Sequence, residues 1–405
     1  MKSKITFIAA MLLLSIGSIA QTAYITNYGS NSVSVIDVST NTVTNTIPVG
    51  SEPIGVCVSI DCSKVYVANY GASTVSAINA TTNSVTATIP VGTLSHGICI
   101  TPDGSKVFVV NGGSNTVTVI NATTNSVSAT INVGLWPNGI AISPDGSKVY
   151  VANGDDSSIS VINAFNNAII DTIAVGWYPE GVTVNPNGST LIVTNRNANT
   201  VSVINTINDS VIATVSVGDW PFGVSFSPNG NNIYVANYNA NTVSVINANT
   251  NTVSATIPVY SGPIGISVSP DGSKIYVANE DMNIVSVIDS ATNLVTDTIS
   301  VGLSPQAFGS FISYPITTGL ALQSIESSNI SVYPNPANTI LNIHLATFFL
   351  NQQLIITDIL GNEVYSETLS GIDNCISISS CSEGIYFYEI KGEQSIDRGK
   401  FVKSK

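Results

Sequence analysis

The side chains in this sequence able to do polar chemistry are few and scattered. Of two histidines, His96 stands among repeated segments and His344 lies near the C-terminus. Arg196 is the one arginine between residues 21 and 314, and Glu180 lies shortly before it. Glu180 with His96 could in principle act as acid and base. No Ser-His-Asp order, HExxH or metal-ligand spacing accompanies them. His96 and Glu180 are also two repeat units apart, so His96 reads as a solvated loop residue and no catalytic set is assigned. Aromatic residues carry more signal. All three tryptophans, Trp136, Trp177 and Trp220, fall in connections between units, and Tyr178 takes the repeat position of Trp136 and Trp220. One step past the connecting proline, successive units carry Ile54, His96, Asn138, Glu180, Phe222, Ile264 and Gln306; Ser95 replaces the proline in the second copy. After a repeated asparagine stand Tyr28, Tyr70, Arg196, Tyr238 and Glu280. Aromatic walls with Asn138, Glu180 and Arg196 as polar contacts suit a sugar ring or an extended peptide. The bland alternative is that these rings only plug a gap between units.

The elements that must position these residues repeat without drift. At a spacing of 42, an aromatic or aliphatic residue and two small or β-branched ones run into Asn27, Asn69, Asn111, Asn153, Asn195, Asn237 and Asn279. Seven copies of that length, made of short alternating segments, predict an all-β, seven-bladed propeller with four strands per blade. Within one unit, residues 139–143, 148–153, 159–163 and 168–175 read as strands with period-two alternation. Pro144, Asp145 and Gly146 make the turn between the first two. The first copy lacks an innermost strand, and residues 305–313 are an innermost strand without a blade. The ring should close with three N-terminal strands and one C-terminal strand in one sheet. Strand parity then puts the variable loops at one end and the monotonous SPDGSK and NATTNS turns at the other. The variable end is where a site is expected.

Charged residues are 9% and the net charge is −13, which argues against nucleic acid or anionic lipid as a partner. No transmembrane segment is expected beyond the N-terminus. Residues 1–20 read as a signal peptide: Lys2 and Lys4, an apolar core, then Ser18, Ile19 and Ala20 before Gln21. Among five cysteines, Cys57 and Cys99 hold equivalent repeat positions filled by small residues elsewhere, and Cys375 with Cys381 is a candidate disulfide. No CxxCH is present, so attached c-type haem is excluded, and no cofactor or metal is assigned. Asp155 with Asp156 and Glu280 with Asp281 are candidate oxygen ligands for calcium that read better as solvated turns.

Tyr66-Val-Ala-Asn69 and Tyr234-Val-Ala-Asn237, followed by VSVIN, TIPVG and SPDGSK, closely resemble the YVTN family of β-propeller repeats over roughly residues 22–314. That resemblance implies an extracellular or surface-layer protein; lactonases share the seven-bladed fold. From residue 330 onward the segment Ser331-Val-Tyr-Pro-Asn-Pro-Ala337, then Gly361-Asn-Glu-Val364 and Gly399-Lys-Phe-Val-Lys403, reads as a small β-sandwich. In order and spacing it resembles the C-terminal sorting domain of type IX secretion found in Bacteroidetes, with residues 315–329 as linker. The resemblance implies outer-membrane secretion machinery as partner, release or attachment at the cell surface, and removal of the tail. Asp171-Thr-Ile173, Asp209-Ser-Val211 and Asp297-Thr-Ile299 resemble O-glycosylation sites of those bacteria. The reading is thus a non-catalytic binding or adhesion module for glycan or protein at the tunnel mouth. The alternatives are a lactonase- or hydrolase-like propeller, which buried charged pairs at the mouth would favour, and a purely structural coat protein.

Overall fold

A computed structural model describes residues 21–313, 330–333, 337–345, 353–358, 362–369, 371–391 and 396–404. The expected signal peptide and linker lie outside the described residues. Contacts divide the chain into two units, Met1–Thr318 and Gly319–Lys405.

The first unit is seven antiparallel sheets. Blade one contains Thr22–Asn27, Ser32–Asp37 and Thr42–Pro48; blades two to seven span residues 53–90, 95–132, 137–174, 179–216, 221–258 and 263–300, four strands each. The missing inner strand of blade one comes from the other end of the propeller. Residues 305–313 bridge it antiparallel at Asn27↔Pro305 and Ala23↔Ile312. Tyr24 N donates to Phe311 O at 2.9 Å and Ser313 N to Thr22 O at 2.8 Å. The circular closure read from the repeat is therefore present.

The repeat letters have local causes. Each asparagine ends a second strand fully buried, and its amide grips the third strand: Asn153 Nδ2 donates to Ser158 Oγ (3.0 Å) and Ser160 Oγ (2.9 Å). The glycine of the preceding blade-to-blade loop lies against the same amide, where a Cβ on Gly134 would sit 2.6 Å from Asn153 Cγ. In the loop before blade seven Tyr260 takes the place of that glycine, and there Asn279 reverses, donating to Tyr260 O and accepting from Ser286 Oγ. Lysines opening second strands reach across to the next blade: Lys148 Nζ lies 2.8 Å from Asp209 Oδ2, and Lys274 Nζ donates to Val38 O at 3.0 Å, tying blade seven to blade one.

Alternation is weaker than the sequence suggests. Second and third strands are buried on both faces, as in Lys148–Asn153 and Ser158–Asn163, because each sheet is covered by a neighbour on either side. Only the outermost strands are largely exposed.

The second unit holds a three-stranded sheet (Ile330–Tyr333, Ile340–Leu345, Asp373–Ser377) and a four-stranded one (Gln353–Thr357, Glu363–Thr368, Gly384–Lys391, Ile396–Lys403). Leu341 and Ile343 from one and Leu354, Ile356 and Phe401 from the other share a core. Cys375 and Cys381 are not joined in a disulfide. No helix among the described residues is long and apolar enough to cross a membrane.

Candidate functional site

Each inner strand carries a bulge two residues in, visible as a register shift between Ser95 and Ile98, Pro137 and Ile140, and Pro179 and Val182. The skipped residues leave the ladder, and the bulge re-aims the first of them toward the axis. The second is glycine in blades two to seven, for a steric reason, and Ala307 in the closing strand. A Cβ on Gly139 would lie 2.1 Å from Glu180 O of the next blade, so glycine there lets the inner strands of neighbouring blades approach closely. The ring named from sequence is thereby gathered at one level of the channel. Ile54, Ile264 and Phe308 cluster as an apolar floor, against which Tyr28, Tyr70, Phe222 and Tyr238 pack.

Above that floor lies a cup of about 340 Å³. Nine of the twelve sequence candidates line it: Tyr28, Tyr70, His96, Trp136, Asn138, Tyr178, Glu180, Arg196 and Phe222. Three do not. Trp177 points outward, 64% exposed. Trp220 and Tyr238 stand behind the wall, Trp220 over the Arg196 guanidinium and Tyr238 against Phe222. Ile54, Glu280 and Gln306 complete the lining; they were visible in the repeat positions but not singled out as ligand contacts. A separate apolar chamber of about 440 Å³ lies further along the inner strands, lined in part by Cys57 and Cys99.

The structure overturns the reading of His96 as a solvated loop residue. It is the second residue of the strand Ser95–Ile100, its side chain is 15% exposed, and its Nε2 lies 3.9 Å from Glu180 Oε1. Blades two apart at the rim converge at the axis, which is why counting repeats misjudged the pair. Glu180 is 2% exposed. Its Oε2 lies 3.5 Å from Arg196 Nη1 and 3.4 Å from Asn138 Nδ2. Arg196 is held among aromatic faces, 4.5 Å from the Tyr178 ring centroid, 4.7 Å from Trp220 and 5.3 Å from Phe222. Its Nε and His96 Nδ1 are buried without a hydrogen-bond partner.

Burial sets the protonation states. It raises the Glu180 carboxyl from 4.5 to about 7, with the Arg196 charge and hydrogen bond pulling the other way. It lowers His96 from 6.5 to about 4, opposed by the Asn138 backbone and reinforced by Arg196. At neutral pH the imidazole is uncharged, so its contact with Glu180 is not an ion pair, and the carboxyl is about half ionised. The loops add backbone strain: Trp136, Tyr178 and Trp220 sit at φ of 50°, 56° and 54°, a region bulky residues avoid. Neither acidic pair proposed for calcium forms a metal group, and none exists among the described residues. Asp156 instead accepts from Leu135 N, and Asp281 contacts Tyr238.

The pattern of the family described as Lactonase, 7-bladed beta-propeller, matches residues 14–256, more than half of the chain. The chain belongs to that family. A YNCE-like beta-propeller pattern matches residues 226–313, and a secretion system C-terminal sorting domain matches residues 331–404. This propeller of the lactonase family is thus exported by type IX secretion to the cell surface or beyond. Its fold is similar to Kuenenia stuttgartiensis hydrazine synthase (22% identity, TM-score 0.62, covering 71% of this chain and 99% of that one). A functionally unknown protein from Desulfotomaculum acetoxidans is alike as well (19%, TM-score 0.64, 73% and 99%). At such identities the likeness concerns the fold alone. No curated protein matches the chain.

Proposed function

We propose that this propeller is an exported hydrolase of small cyclic esters, working in the cup with Glu180 as general base. One observation carries the reading: a fully buried carboxyl, poised near pH 7, lies between a guanidinium and a neutral imidazole. A base is most effective when its pKa lies near the working pH. The ionised Glu180 takes a proton from water, and the water oxygen bonds to the ester carbonyl carbon. Arg196 faces the negative charge that develops on the carbonyl oxygen. The ring C–O bond then breaks, the proton passes from Glu180 to the leaving alkoxide, and a hydroxy acid departs. His96, neutral and with a free ring nitrogen, orients the water. This departs from the non-catalytic module inferred from sequence, because that reading had no buried charged pair to weigh.

The test follows base uptake at constant pH by the secreted full-length chain on γ- and δ-lactones. Turnover should rise with pH through about 7, since only the ionised form of Glu180 is a base. Glu180→Gln should lower kcat by about 100-fold or more. If no lactone is opened faster than by that variant, the hydrolase reading is wrong. A binding-only role is favoured by a separate observation: Trp177 and Leu135, 64% and 50% exposed, stand outside the cup. Loss of glycan binding in Trp177→Ala, with lactone turnover absent, would establish it.

A further inference from the structure

Two repeat positions change character in blades four and five alone. The first lies two residues after the asparagine or aspartate that opens the turn between third and fourth strands, and its N–H donates to that side chain. Five blades carry Ser39, Thr81, Thr123, Asn249 and Ala291 there, whereas blades four and five carry Phe165 and Ile207. The second position lies five residues further on. There Thr44, Thr86, Ser128, Ser254 and Thr296 each donate a hydroxyl to a carbonyl of the third strand. Blades four and five replace them with Ile170 and Ile212, which have no donor to offer. Ile207 is 86% exposed and Phe165 73%, while Ile169, Ile170 and Ile212 are about half exposed. Giving up a repeated hydrogen bond for apolar groups left in water does nothing for the fold of either blade.

Area and charge say what covers this surface. The five side chains expose on the order of 600 Å², the upper end of what a monomer shows in one patch. Two such faces together remove about 1,200 Å², enough for a specific interface before any polar rim is counted. The chain carries a net charge of −13, yet the charges at this patch cancel. Lys148 pairs with Asp209 at 2.8 Å, and Lys106, whose Nζ donates to Phe165 O, offsets Asp171. Copies of an acidic protein repel one another least where their charge is balanced. The apolar pair is also written twice, on neighbouring blades. A two-fold axis can therefore set blade four of one copy on blade five of another, with every contact made twice.

We propose that the turns and outermost strands of blades four and five form the contact of a two-fold dimer of this chain. Phe165 and Ile170 of one copy face Ile207 and Ile212 of the other. These turns lie at the end of the ring away from the blade-to-blade loops, so the cup stays open in the dimer. The pairing stands whether or not lactones are opened.

Sedimentation equilibrium of the secreted full-length chain, over about 1–100 μM, should show a species of twice the chain mass. Phe165→Thr, Ile170→Thr, Ile207→Thr and Ile212→Thr together write in the residues that blade two carries at both positions. That variant should melt no lower than the native chain, since two hydroxyl donors return, while the dimer weakens about 100-fold or more. Ile207→Asp alone, at the most exposed position and outside the core, should weaken it in the same direction. A native chain of single mass throughout, or variants that pair as tightly, would overturn the proposal. So would a monomeric native chain that co-sediments with phosphatidylcholine vesicles when the fourfold variant does not, which would make the patch a lipid contact.

Discussion

Replacing His96 and Glu180 one at a time should expose two opposed pH dependences of stability that hide each other in the native protein. The Glu180 carboxyl is raised from 4.5 to about 7, and the His96 imidazole is lowered from 6.5 to about 4. Each displacement is roughly 2.5 pH units, which at about 1.36 kcal/mol per unit is on the order of 3 kcal/mol. For Glu180 the folded state holds its proton more tightly than the unfolded state. Its stabilisation is complete below pH 4.5 and is lost as pH rises through about 7. For His96 the unfolded state takes the proton first, so stabilisation is complete above 6.5 and is lost as pH falls through about 4. Between 4.5 and 6.5 the slopes have opposite sign and nearly cancel. Unfolding midpoints followed by tryptophan fluorescence at several values from pH 4 to pH 8 would read them. Glu180→Gln should gain stability as pH rises across that window, His96→Gln should lose it, and the double variant should be as flat as the native chain. Groups elsewhere titrate alike in all four proteins and drop out of the comparison. Parallel profiles for the two single variants would refute the buried acid–base pair.

Other outcomes follow from the same architecture. Asn153→Ala removes two side-chain hydrogen bonds and strands two buried serine hydroxyls, so chemical denaturation should show a loss of about 2–3 kcal/mol. Gly139→Ala would press a methyl group against Glu180 O at 2.1 Å; thermal melts should fall, with catalysis falling further because that carbonyl belongs to the candidate base. A chain ending after Ser304 lacks the closing strand and should self-associate in size-exclusion chromatography, whereas one ending after Ser313 should stay monodisperse with an undiminished propeller melt. Trp136→Gly relieves a left-handed φ of 50°, so stability should hold or rise while ligand affinity drops; loss of both would mean that the indole only packs.

The fold was legible because the 42-residue period leaves one register, and the orphan strand at residues 305–313 leaves one way to close it. The cup was half legible. Positions one step past the connecting proline identified its lining, since a bulge repeated in every blade aims them alike. The contact between His96 and Glu180 was not, because sequence counts blades along a circumference while side chains near an axis meet across it. Trp177 and Tyr178 are neighbours in sequence, yet the left-handed backbone at Tyr178 sends one ring into the cup and the other into solvent.

The hydrogen bonds between Thr22 and Ser313 have a consequence for timing. Blade one emerges first yet stays a sheet with an open inner edge until almost the whole propeller exists. During that interval its unpaired strand can recruit any stray β-segment, its own or another chain's. A polypeptide passing through an envelope in stages gains from postponing collapse until both ends are on the same side. Folding of this ring is then less a progression from front to back than a latch that engages last, immediately before the segment that addresses the cargo outward.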